Sequence, residues 1–231
     1  MNTEAKLTPV REAHRFDQAA LAKFLKTQLD GFCEPFDILQ FEGGQSNPTF
    51  LLDCGAHKYV LRKKPPGKLL PSAHQVDREY RVMKALEHTD VPVPRMYLLC
   101  EDETVIGTTF FVMAYVEGRL FANVTLPGVS PAERRAIYFE MIRVLAALHS
   151  VDYEGLGLSD FGKPGNYFER QYGRWSSQYR ASEMRRIEPM ETLMEWLAGN
   201  MPGDDGRVAL VHGDFRVDNM IFAADEPRAV A

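Results

Sequence analysis

The chain predicts an α+β fold in two parts, sheet first and helices after. Three features of its 231 residues carry that prediction. Up to about residue 116, short apolar runs alternate with Gly, Pro and acidic turns, the pattern of short strands. From Ser130 onward, apolar residues recur at helical spacing instead. Near residue 215, the polar stretch His212-Gly213-Asp214-Phe215-Arg216-Val217-Asp218-Asn219 sits between two apolar runs, residues 208–211 and 220–222. These read as two short strands holding a tight loop. The parts divide into an N-terminal lobe at 1–116 and a C-terminal helical lobe at 117–231.

Composition bounds the function. A content of 45% hydrophobic and 26% charged residues is that of an ordinary globular protein. A net charge of −5 gives no electrostatic footprint for nucleic acid. Cys33, Cys54 and Cys100 are odd in number and lack zinc spacing, which fits free, mostly buried thiols in a reducing compartment. The first residues lack the apolar core of a signal peptide, and no apolar run has membrane-spanning length. The expectation is a cytoplasmic protein with no membrane or nucleic-acid partner and an unspecified oligomeric state.

The elements follow in order. Residues 1–36 are a lead-in, with a helix capped by Asp17 and running to Leu29 on Leu21, Phe24 and Leu25. A strand at 36–41 is followed by Glu42-Gly43-Gly44-Gln45-Ser46-Asn47 and a second strand at 49–52. Glycines there let backbone N–H groups approach a phosphate, although an ordinary hairpin uses the same residues. Lys58-Tyr59-Val60-Leu61-Arg62-Lys63-Lys64 reads as a third strand, stopped by Pro65-Pro66. Ser72 and Gln75 form a capping-box pattern for a helix at 72–88 with Val76, Tyr80 and Met83 on one face. Val91-Pro92-Val93-Pro94 is an extended connector. Strands at 96–100 and 108–116 follow; the second is so apolar that it reads as buried and central. It breaks at Glu117-Gly118-Arg119. Ser130, Pro131 and Glu133 start a long helix through His149, whose histidine suits a helix C-terminus. A single polar helical stretch from about 167 to 199 leads back to the loop. Its arginines, Arg170, Arg174, Arg180, Arg185 and Arg186, read as a solvated face.

The loop carries the chemistry. Asp214 can accept a proton from an attacking hydroxyl, and the Asn219 carboxamide oxygen is a hard ligand suited to Mg²⁺. His-Gly-Asp-x-x-x-x-Asn keeps the order and Asp-to-Asn spacing of the protein-kinase catalytic loop, with Gly213 in place of Arg. Taken alone, the octet would also serve as a turn built on Asx hydrogen bonds. In this form it resembles the loop of the aminoglycoside phosphotransferase and choline kinase family, small-molecule relatives of protein kinases.

That resemblance implies a protein-kinase-like two-lobed fold that uses ATP and Mg²⁺. Asp214 becomes the catalytic base, Asn219 the magnesium ligand and His212 a residue that shapes the loop. Gly43, Gly44, Gln45, Ser46 and Asn47 would cover the phosphates. By register with the kinase strand-three lysine, Arg62 would hold the α/β-phosphates, with Lys63 or Lys64 as alternatives under a register shift. Glu79 would brace that cation from the helix. Met113, Ala114, Tyr115 and Val116 would form the hinge that reads adenine, and helices after the long one would select the acceptor. Stretches 59–67 and 145–152 look most like the phosphotransferase domains joined to acyl-CoA dehydrogenases. This favours a hydroxylated metabolite over an aminoglycoside as the partner. The family continues beyond this point to an aspartate for a second magnesium, which Asp218 and Asp225 are not placed to replace. The expectation is a fragment of a longer protein. Rival readings are a nucleotide-binding module without transfer, and a metal-dependent hydrolase using His212 and Asp214.

Overall fold

The structure, a computed structural model, describes residues 6–42, 47–66 and 75–231. Its first part is an antiparallel sheet of β1 (Leu7–Pro9), β2 (Asp37–Phe41), β3 (Thr49–Asp53), β4 (Lys58–Lys63), β5 (Met96–Cys100) and β6 (Phe110–Ala114). The strands lie in the order β1-β2-β3-β4-β6-β5, so β6 is interior, as its apolar run predicts. The strand β1 was not foreseen in the lead-in. It is three residues long and ends at Pro9, which an edge strand tolerates.

Both faces of this sheet are covered, which explains its unbroken apolar runs. On one face, Leu21, Leu25 and Leu29 at helix α1 (Gln18–Gln28) pack with Phe50, Leu52, Tyr59, Leu61, Phe110 and Val112. On the other, Val76 of α2 (Val76–Leu86) meets Met96 and Phe111, with Tyr80, Met83 and Met113 around them. Neighbours such as Phe110 and Phe111 serve opposite faces, as the pleat requires. Asp17 caps α1, accepting the Ala19 and Ala20 N–H groups at 3.0 and 2.9 Å. The expected cap of α2 at Ser72 lies outside the described residues. Within them the helix starts at Val76 and Gln75 makes no side-chain cap bond.

Helix α3 (Pro131–His149) starts as its sequence says, with Ser130 Oγ accepting the Glu133 N–H at 3.2 Å. Its buried residues Ile137, Met141 and Val144 join Phe121, Leu126, Val217, Met220, Phe222 and Ala229 in a second core. Over that core lies a small antiparallel ribbon of β7 (Arg119–Leu120) and β8 (Ile221–Phe222).

The chain divides into two compact units. One comprises Met1–Asp152 together with Val211–Ala231; the other is Tyr153–Leu210. The second contains α4 (Tyr167–Ser182) and α5 (Glu188–Gly199), so the single helical stretch expected there is two helices. Pro189 explains the break: it has no N–H for the bond a continuous helix would need, but it is well tolerated in the first turn of α5. Residues 208–211 are not a strand either. Val208 and Val211 are 42% and 75% exposed, and among the described residues 208–211 pair with no strand. Among the described residues, no helix is long and apolar enough to cross a membrane.

Candidate active site

Two groups of residues define the site, one on the sheet and one on the loop before β8. On the sheet, Arg62 of β4 lies opposite Thr49 of β3 and Phe111 of β6. Its Nε is 2.7 Å from Glu79 Oε2 on α2, and its Nη1 donates to Thr49 Oγ1 at 3.1 Å. Glu79 also accepts the buried Asn47 side-chain amide at 2.7 Å. The carboxylate therefore holds the guanidinium from one side, and the fork keeps donors to offer a bound anion.

The three cations considered for this position go three ways. Lys63 turns to the opposite face, where its Nζ lies 5.9 Å from the centre of the Phe16 ring. It is only 4% exposed, and burial pushes its ammonium below the ordinary lysine range. Lys64 reaches Asp77 at 3.5 Å. Arg62 is the cation that meets Glu79.

Of the phosphate-loop residues, Gly43, Gly44, Gln45 and Ser46 lie outside the described residues. Asn47 lies within them, two residues before β3. Its link to Glu79 was missed by sequence reasoning, as was that of Thr49 to Arg62. The second had a signal, because the two residues are direct cross-strand partners.

The predicted hinge begins in the ladder and leaves it earlier than expected. The strand β6 ends at Ala114, and Met113, Ala114, Tyr115 and Val116 are all half-buried. The Ala114 N–H donates to Arg95 O at 2.8 Å and the Tyr115 N–H to Lys58 O at 3.5 Å. Lys58 Nζ also sits 5.6 Å from the Tyr115 ring centre.

The loop is shaped from within. Gly213 has φ +82°, a conformation that L side chains rarely adopt. His212 Nδ1 accepts the Asp214 N–H at 3.3 Å, and its ring stands edge-on to Phe215 at 5.9 Å. One turn of 3₁₀ helix, Val217–Asn219, follows, anchored in the second core by buried Val217. Asn219 Nδ2 then reaches back to Asp214, donating to its backbone carbonyl at 2.9 Å and to Oδ2 at 3.0 Å. Arg216 forms a fork with Asp218, which raises its guanidinium further, and lies 3.9 Å from Asp214 Oδ1.

Asp214 is thus exposed, with Oδ2 fixed by Asn219 and Oδ1 facing the Arg216 guanidinium at 3.9 Å. Because the Asn219 NH₂ is committed to Asp214, its carboxamide oxygen is the atom left for a hard cation. Among the described residues, no three His, Cys, Asp or Glu side chains cluster as metal ligands. The hydrolase reading therefore lacks its donor set.

Comparison with known proteins gives the fold and the family. A crystal structure from Ralstonia eutropha JMP134, assigned to the aminoglycoside phosphotransferases, is 50% identical with a TM-score of 0.82. The match covers 94% of this chain and 64% of that one. The streptomycin–ATP ternary complex of APH(2")-IIa shares the fold at 20% identity and a TM-score of 0.63, over 92% of this chain and 68% of its own. Acyl-CoA dehydrogenase family member 11 of Homo sapiens is 46% identical over 99% of this chain, and that of Gallus gallus is 48% identical over 100%. The chain spans only 30% of the length of each of these two relatives. The fold is the kinase-like one of these phosphotransferases, with an antiparallel sheet followed by helices. The family model for the phosphotransferase enzyme family matches residues 37–231, and the chain belongs to that family.

Proposed function

We propose that this chain forms the catalytic part of an ATP-dependent phosphotransferase acting on a small-molecule hydroxyl. The observation that carries the reading is the Asp214–Asn219 pair: a carboxylate fixed at Oδ2 by the amide, on a loop anchored in the core. Asp214 Oδ1 accepts the proton of the acceptor hydroxyl as its oxygen attacks the γ-phosphorus, and ADP leaves from the opposite side. The Arg62 guanidinium, braced by Glu79, orients the α/β-phosphates by bidentate contact. In the hinge, the Ala114 and Tyr115 N–H groups are engaged, so the reading assigns adenine to the Val116 N–H.

A Mg²⁺ bound with the nucleotide would neutralise phosphate charge. The residues fit it as one site of a shared shell, with Asn219 offering one oxygen and phosphates and water the rest. Transfer of this kind depends mainly on positioning and charge neutralisation, which is what these residues supply.

Support for ATP as donor comes from two solved relatives, one complexed with ATP and streptomycin and one with AMP-PNP and hygromycin B. For the acceptor we favour a hydroxylated metabolite, because several relatives at 45–48% identity bear acyl-CoA dehydrogenase names. Asp214→Asn is the test. Transfer from ATP should fall by about 10²–10⁴-fold, the usual contribution of a general base, while nucleotide affinity stays near wild type. Turnover retained in that variant would remove Asp214 from its role.

A further inference from the structure

We infer that Arg119 is a positioning residue for the Asp214–Asn219 loop, acting through the strand that leaves it; this rests on the reading of that pair above. Only Met220 separates Asn219 from Ile221, where β8 begins. Its strand partner is β7, which follows the hinge segment directly, with Arg119 opposite Phe222 and Leu120 opposite Ile221. Two residue pairs are a short ladder; on its other side β8 is bonded to the returning segment, with the Ile221 N–H donating to Ala231 O at 2.8 Å, and side-chain contacts add to both.

Arg119 supplies them. Its Nε donates to Ala223 O at 2.8 Å and its Nη2 to Glu226 O at 2.9 Å, while Nη1 pairs with Glu133 on α3. The guanidinium lies 5.5 Å from the Phe121 ring centre, and the side chain is 11% exposed. The two carbonyls belong to the turn after β8, a hairpin closed by Ala223 N–H to Arg228 O and Val230 N–H to Ile221 O, each 2.8 Å. One planar cation therefore ties that hairpin to α3. Lysine would present a single ammonium and could not hold two carbonyls and a carboxylate in that plane.

Gly118 allows the approach. A Cβ there would lie 2.4 Å from Phe222 O and 2.6 Å from Ile221 Cγ2. The backbone after the hinge thus packs directly on the backbone after the catalytic loop. A shift of β8 would carry Asn219 with it, and displacements near 1 Å can cost roughly 10²-fold in rate.

The test compares Arg119→Met and Arg119→Lys with wild type in the full chain. Amide exchange should quicken about tenfold or more at 221–223 in Arg119→Met, with β3 and β4 unchanged and Arg119→Lys intermediate. The kcat for Mg·ATP turnover, with water as acceptor, should fall roughly 10–100-fold with KM for ATP nearly constant. Should Arg119→Met fail to fold, Arg119→Lys carries both readouts. Unchanged exchange at 221–223 overturns the clamp. Faster exchange with wild-type kcat overturns the positioning role. Turnover retained in Asp214→Asn would instead sink the Asp214 reading, while exchange still decides whether Arg119 holds the strand.

Discussion

Residues 62–64 are three consecutive cations with three environments, and the middle one is expensive. Lys63 sits buried beside Phe16, where burial lowers its pKa from the ordinary 10.5. Below that lowered value both folded and unfolded chains carry its proton, so the folded state bears the whole cost of a buried charge. As pH rises through the lowered value, the folded chain releases the proton while the unfolded chain keeps it, and the cost is relieved. Lys63→Met should therefore be more stable than wild type near pH 7, by about 1 kcal/mol. That margin should shrink as pH approaches 10.5, measured by denaturant unfolding across the range. The Arg62–Glu79 pair was legible by register with the kinase strand-three lysine, and the one-residue offset that separates Arg62 from Lys63 puts them on opposite faces. The burial of Lys63 was not, since a charged residue at a strand end reads as solvated until both faces of the sheet are known to be covered. Asn47 was legible as a loop residue, but its bond to Glu79 joins positions 32 apart and has no local signature.

Among the elements, α2 matters most, because it sets where Glu79 meets Arg62. Its C-terminal end is tied to β5: Lys84 Nζ donates to Met96 O at 3.1 Å, and Glu87 accepts the Met96 N–H. Burial works against the Glu87 carboxylate, but hydrogen bonds from Lys84 and Met96 hold its pKa below the ordinary 4.5. A depressed acid contributes its stability above the unfolded value and loses it as pH falls through the folded one. Glu87→Gln should cost about 1–3 kcal/mol at pH 7 and much less once pH is well below 4.5, read from unfolding at both pH values. Helix starts at Asp17 and Ser130 were plain in the sequence because capping is local chemistry. Short pairings were not: β1 and β7 are too brief to show periodicity, and 208–211 has strand composition without a partner. Pro189 did mark the break between α4 and α5, inside what otherwise reads as one helix.

At the scale of the molecule, the two units differ in how much they bury. The sheet unit has cores on both faces, whereas α4 buries no residue and α5 only Glu191 and Met194. Arg180 bridges the two helices by pairing with Glu191. Local opening should therefore be easier in Tyr153–Leu210. Native-state amide exchange should show lower protection in α4 and α5 than in β3, β4 and β6; equal protection would contradict this. The change from strands to helices along the chain was legible in the sequence. The return of the last residues to the first unit was not, because it depends on Phe222 and Ala229 meeting α3, far away in sequence. That return makes residues 153–210 an excursion whose two ends are held by the same unit. An insertion or deletion between 153 and 210 would therefore fall outside the unit that carries the Arg62–Glu79 and Asp214–Asn219 pairs.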